Sequence, residues 1–224
     1  MKVIIFDAGT LINFSMNGML DIIKKLKSNV DVKFIITKEV EYEIVKKPLT
    51  IKKYKLGAIR LRSLIDEKIL EFPESLGISS SVINERERKF LSSANSVFYV
   101  GNKPLHLIDL GEASCIALSS ILTEKRIENI IAIDERTTRM LFEKPENLKK
   151  LLDEKLHMNV TIKSMPNIFG NFRFIRSSEL VYVAYKKGIS KIDKEMLDAM
   201  LYGTKFKGCA ISSDEIREIE RIAI

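Results

Sequence analysis

Four acidic residues stand at places where oxygen ligands for a metal ion would be wanted. Asp7 ends the apolar run Val3-Ile4-Ile5-Phe6 and leads into Ala8-Gly9-Thr10. Glu43 lies in ITKEVEYEI, Glu112 opens LGEASCIALSS, and Asp134 ends IIAIDER. Carboxylates a few ångströms apart raise one another's pKa unless a cation neutralises them. The natural occupant is Mg²⁺ or Mn²⁺, a hard ion that takes oxygen ligands and keeps several waters. Such ions clamp a phosphodiester, generate hydroxide from bound water and stabilise the leaving oxygen. Each acid also has a plainer reading. Asp7 is then a turn acid, and Glu43 a solvated helix residue with Glu39 and Glu41 nearby. Glu112 is then the partner of Asp109 in a D-L-G-E capping box, and Asp134 the N-cap of ERTTR.

The elements that must position these acids follow from hydrophobic period. Residues 2–6, 32–37 and 129–134 read as buried strands, and 69–72 as a short one. Helices are expected over 16–28, 38–47, 51–68 and 83–95; 105–125 opens with a turn and continues as an apolar helix, and another helix begins at 135. Thr37 is placed to cap the second of these, Pro48 to close it, and 73–81 reads as a loop. Strand–helix alternation predicts an α/β fold with a mostly parallel sheet covered by helices on both faces. Sites in such sheets form at the carboxyl ends of strands, where Asp7 and Asp134 stand. Beyond about residue 155 the pattern changes. Residues 157–177 read as irregular with one strand, and three helices follow, two of them with serine caps.

The chain has 224 residues, 46% of them hydrophobic, enough for a substantial core. No apolar run approaches the roughly 18–20 residues of a membrane span. The N-terminus has no basic segment, long apolar stretch or cleavage site, so no secretory leader and a cytoplasmic location are expected. Cys115 and Cys209 are far apart and outside any Cys-x-x-Cys spacing, which argues against a disulfide framework and a zinc site. Cys115, beside Ile116 and Leu118, reads as core. The net charge of +7 favours an anionic partner, nucleic acid first. Lys38, Lys46, Lys47, Lys52, Lys53, Arg60 and Arg62 are candidates for an RNA-tracking surface, or a solvated face. Arg136 and Arg139 follow the last acid and are candidates for phosphate contacts. Phe169, Phe172, Phe174, Tyr182 and Tyr185 in the tail serve packing or, alternatively, base stacking.

The motif set resembles a PIN-domain ribonuclease: an acid after the first strand (IIFDAGTLI), a glutamate in the helix after the second (ITKEVEYEI), an acid opening a helix (LGEASCIALS) and an acid after a late strand (IAIDERTTR). The similarity covers roughly residues 1–150, and the tail is similar to a prokaryotic branch that carries extra C-terminal helices. The resemblance implies a three-layer α/β sandwich, with residues 1–155 as a PIN-like nuclease domain and 156–224 as a helical C-terminal extension. It implies a metal-dependent endoribonuclease acting on single-stranded RNA, as the toxin of a toxin–antitoxin pair or in RNA processing. Asp7, Glu43, Glu112 and Asp134 match the family's metal-binding and catalytic acids, with Glu112 where the family usually has Asp. An antitoxin protein and a homodimer are the further partners expected. Two family hydroxyl positions are Gly9 and Ala132 here, leaving Thr10 or Thr137 to take that role. These departures keep open a non-catalytic PIN-fold protein that binds RNA or protein. A haloacid-dehalogenase-like phosphatase would want D-x-D-G-T, and Asp7-Ala8-Gly9-Thr10 lacks the second aspartate.

Overall fold

The apolar run at the N-terminus becomes the centre of a parallel sheet. The computed structural model describes residues 1–163 and 170–222. Among the described residues the strands are β1 (Lys2–Phe6), β2 (Val32–Ile35), β3 (Phe98–Val100), β4 (Lys103–Pro104), β5 (Glu128–Ala132), β6 (Val160–Ile162) and β7 (Phe174–Ile175). The main sheet has the order β2-β1-β5-β7, with every pair parallel. Ile5 lies beside both Ile35 and Ile131, and Phe6 beside Ala132. Val3, Ile5, Phe6, Ile131 and Ala132 are all buried, because helices flank the sheet; this is why β1 reads as a continuous apolar run. A second, antiparallel sheet, β4-β3-β6, has a small core of its own that includes Phe98, Leu148 and Val160.

Strand order fixes where a site can form. From β1 the chain leaves toward β2, and from β5 toward β7 on the opposite side. The switch point therefore falls between the carboxyl ends of β1 and β5, and the segments leaving there begin with Asp7 and Ile133-Asp134.

Several local expectations are corrected. Residues 8–10 form no turn; they begin the helix Ala8–Met16, with Asp7 as its N-cap. The helix expected over 16–28 is Leu20–Asn29, separated from its predecessor at Gly18, whose φ of +69° needs a residue without Cβ. Thr37 caps as expected, accepting from the Val40 N–H at 3.3 Å. Pro48 does not close that helix. Its ring crowds the carbonyl four residues back, and it supplies no N–H. The chain widens to a π turn over Tyr42–Lys46, in which the Lys47 N–H reaches back to the Tyr42 carbonyl, and helix resumes at Lys47–Leu49. Residues 69–72 make only a single bridge, Glu71 to Ile35. The loop of 73–81 holds a short 3₁₀ turn, Pro73–Leu76, and the start of helix Ser80–Ala94. The helix beginning near 135 runs Arg136–Glu143, and a new one, Pro145–Leu156, starts with proline in its first turn, where no N–H is missed.

The tail is woven into the sheet. Its three helices are present as Ser177–Lys186, Lys194–Phe206 and Ser213–Ile222. The first two are preceded by Arg176 and Asp193; of the expected serine caps, only the Ser212 hydroxyl, accepting from the Glu215 N–H, plays that part. The stretch 157–177, expected to hold one strand, holds β6 and β7, and β7 is the fourth strand of the main sheet. Leu180, Val181, Leu197, Leu201 and Ile216 share one core with Ile5, Phe6 and Leu11. Phe172 and Phe174 pack against Phe142, centroids 5.2 and 6.4 Å away, so packing is their role; Phe169 lies outside the described residues. A chain ending at residue 156 would lose an edge strand and these side chains together. Such a truncation is expected to show no cooperative thermal transition by circular dichroism, where the full chain shows one.

Candidate active site at the carboxyl edge of the sheet

Three of the four acids named from sequence converge. Asp7 is buried, and its Oδ2 accepts from the Gly9 N–H at 3.0 Å. A Cβ on residue 9 would stand 3.2 Å from that oxygen, so glycine gives the carboxylate room to fold over the helix start. Burial, then the charges of Glu112 and Glu43, push the Asp7 carboxyl up to about 8. Glu112 is pushed up to about 7, chiefly by burial. Glu43 is also raised, by burial and by Asp109. The Cys115 thiol, buried as expected and near the Phe6 carbonyl, is raised by burial and by all three of these carboxylates.

Each acid is held by its element. The π turn carries Glu43 to the start of helix Leu110–Glu124, where the Gly111 N–H stabilises its charge. A Cβ on residue 111 would lie 2.8 Å from Glu43 Oε1, so the glycine of L-G-E makes room for another residue's carboxylate. The Thr37 and Ser114 hydroxyls meet at 2.6 Å and pin the two helices together. Glu112 Oε2 accepts from the Asp109 N–H at 2.9 Å, the capping contact expected from D-L-G-E. Its Oε1 accepts from the Thr138 hydroxyl at 2.6 Å.

Asp134 is placed differently. In register Asp7 follows the Phe6–Ala132 pair and stands beside Ile133, and the pleat turns the next residue, Asp134, the other way. Asp134 is buried, with Oδ2 accepting from Asn13 Nδ2 at 3.0 Å and Oδ1 from the Ser177 N–H at 2.8 Å. It does not cap the next helix; Glu135 does, accepting from the Thr137 N–H at 3.1 Å. Asn13 also donates to the Thr204 carbonyl at 2.9 Å, and Asn17 donates to Asn13 Oδ1 at 2.8 Å. The acid is thus the centre of a buried polar knot joining β5, helix Ala8–Met16 and the tail.

The remaining candidates separate as well. Thr10 is fully buried, and its hydroxyl has no partner among the described residues. The hydroxyl that does meet a site carboxylate belongs to Thr138, the neighbour of Thr137; the buried face of helix Arg136–Glu143, Thr138 and Leu141, was the signal for it. Arg136 is exposed, whereas Arg139 is half-buried with an Nε–H that meets no acceptor among the described residues. Lys38 lies over the Phe72 ring, 3.6 Å from its centroid. A further buried acid, Glu87, is 4% exposed and pushed up to about 7 by burial and by Glu39. Its position on the stripe Ile83, Glu87, Phe90, Ala94 marked it in the sequence as an acid on a core face.

The donor chemistry of Asp7, Glu43 and Glu112 fits a hard divalent cation, whose charge would offset the burial of all three and the repulsion that Glu112 and Glu43 exert on Asp7. As the side chains stand, no three His, Cys, Asp or Glu among the described residues form a group able to hold one ion. Mg²⁺ commonly takes only one or two carboxylates and completes its shell with water. Fold and site together define an α/β protein with buried Asp7 and half-buried Glu43 and Glu112 near the switch point of a parallel sheet. No protein-family model, curated protein or solved structure matches the chain. No described helix is long and apolar enough to cross a membrane.

The two aspartates should respond oppositely to substitution. Asp134→Ala strands the Asn13 and Ser177 donors in the interior and is expected to cost about 2–4 kcal/mol in urea unfolding. Asp7→Asn keeps a good N-cap and removes a buried charge. The Asp7 carboxyl is raised from 3.8 to about 8, so between those values the folded chain holds a proton the unfolded chain has lost. The stability this proton contributes is therefore fully present below that window and is lost as pH rises through it. In chelator, Asp7→Asn should be more stable than wild type by about 1–3 kcal/mol at pH 8, with the margin closing toward pH 4.

Proposed function

We propose that this protein is a metal-dependent endoribonuclease of the PIN type that hydrolyses phosphodiester bonds in single-stranded RNA, acting as the toxin of a toxin–antitoxin pair or in RNA processing. The convergence of Asp7, Glu43 and Glu112 at the switch point carries this reading. Asp7, Glu43 and Glu112 would hold Mg²⁺ or Mn²⁺. When bound, such an ion polarises the phosphoryl oxygens and lowers the pKa of a coordinated water.

The chain's own groups prepare that chemistry. Asp7 and Glu112, pushed up to about 8 and about 7, hold protons near neutrality that they would give up on binding a cation. Thr138 fixes one oxygen of Glu112, and the Gly111 N–H orients Glu43. The half-buried Arg139, whose buried Nε–H meets no acceptor among the described residues, would supply a phosphate contact. Asp134 acts in this reading by positioning: it holds the end of β5 and the helix that begins at Asp7.

A second reading, a PIN-like fold that binds RNA or protein without cleaving, draws on the engagement of both Asp134 oxygens in structural hydrogen bonds. Cleavage of a labelled single-stranded RNA separates the two. With Mn²⁺ or Mg²⁺ the wild type should cleave, while chelator and Asp7→Asn should each lower the rate about a hundredfold or more. Gly111→Ala should lower it about tenfold or more, through displacement of Glu43, while keeping the native circular dichroism. Cleavage undiminished by chelator and by Asp7→Asn would overturn the nuclease reading.

A further inference from the structure

The positive charge of this chain has an address. Between Glu43 and Asp66 there is no acidic residue, although a stretch of that length would carry about three at the chain's overall composition of 30 Asp and Glu in 224. The same stretch holds seven cations: Lys46 and Lys47, then Lys52, Lys53 and Lys55, then Arg60 and Arg62. That equals the formal net charge of the whole protein, +7, so the rest of the chain balances to neutrality. All seven are exposed. Among the described residues only Lys46 has an acidic ion-pair partner, Glu41 at 2.9 Å.

This surface is also unusually apolar for one so charged. Tyr42 is 54% exposed, Tyr54 47% and Leu56 60%, with Ile51 and Ile59 exposed beside them. Residues 51–56 are exposed without interruption. A surface that serves only solubility mixes both signs of charge and has no need of bare rings. A two-fold contact with a second copy across this face would bring seven cations against seven, with no acid among them to compensate. Aromatic faces interleaved with lysines are instead what a single-stranded polyanion with stacking bases requires.

The face leads to the carboxylates. Tyr42 and Glu43 are neighbours in the π turn, and helix Lys55–Asp66 packs on that turn and on helix Ala8–Met16, which Asp7 caps. Gly57 makes the latter approach close: a Cβ there would stand 3.2 Å from Ser15 Oγ. We propose that residues 42–62 are the strand-binding surface of this protein: single-stranded RNA lays its phosphates along Lys47, Lys52 and Lys53 and stacks bases on Tyr42 and Tyr54, and the strand is delivered to Asp7, Glu43 and Glu112. The assignment of RNA rests on the nuclease reading; the surface itself rests on charge and exposure.

The test is fluorescence anisotropy of the full chain with a labelled single-stranded 12-nucleotide RNA in chelator, where cleavage plays no part, over a range of salt. The paired substitution Lys52→Glu/Lys53→Glu should weaken binding about tenfold or more and reduce the salt slope by about 1.4, from about 0.7 per phosphate contact. Tyr54→Ala should weaken it about tenfold. Lys125→Glu/Lys187→Glu, the same charge change on exposed lysines elsewhere, should stay within about twofold of wild type. The surface is overturned if the patch and control pairs lose equal affinity, or if the wild type does not bind. It is also overturned if light scattering shows that the patch variants change oligomeric state while RNA binding is unaltered. Tighter binding of the matching DNA strand would overturn the assignment to RNA. Patch-dependent binding without cleavage in Mn²⁺ would leave this surface standing and remove the nuclease reading; cleavage indifferent to the patch would do the reverse.

Discussion

The carboxylate of Asp134, buried and taking one hydrogen bond from Asn13 and another from the Ser177 backbone, joins three distant stretches of chain. A buried charge is tolerable only when donors replace the water it has lost, and here the donors come from helix Ala8–Met16 and from the first helix of the tail. Asn13 passes the connection on to the Thr204 carbonyl, and Asn17 to the Gly203 carbonyl. With β7 paired to β5, this knot makes the last quarter of the chain part of the sheet's own architecture. Through Asn13 it also anchors the helix that Asp7 caps.

The acids at the other face of the switch point have the opposite energetics. Asp7, Glu43 and Glu112 are held by backbone N–H groups, a glycine's open space and a threonine hydroxyl, yet burial still disfavours their charges, and at Asp7 the charges of Glu112 and Glu43 add to it. A fold selected only for stability would not gather them. Part of that cost is offset because Asp7 caps one helix and Glu112 completes the capping box of a second, so these two carboxylates also stabilise local structure.

The cationic face and the carboxylate cluster complement each other. Ionised carboxylates would repel a polyanion, and the neighbouring surface of exposed lysines and tyrosines would offset that repulsion. The π turn ties the two together, since it presents Tyr42 to solvent and Glu43 to Gly111 within one helical loop. The proline two residues beyond that turn, with no N–H to give, is the local reason the wider turn forms there.

Sequence alone determined the α/β class, the strands expected at 2–6, 32–37 and 129–134 and found at 2–6, 32–35 and 128–132, and the placement of two acids at the carboxyl edge, because hydrophobic period and element ends are local properties. It also determined the Thr37 cap and the D-L-G-E contact, each made within three residues. Tertiary structure decided the rest. The short strands β6 and β7 carry too few residues for a period to register, and they exist because partners wait at Phe98–Val100 and Ile131–Ala132. Asp7 and Asp134 look alike in sequence, each an acid after an apolar strand. The pleat and the β1–β5 register point them to opposite sides, one into a cluster of carboxylates and the other into a knot of amide donors. Residue type supplies the charge, but which charges meet depends on contacts more than a hundred residues apart, and no local pattern encodes those.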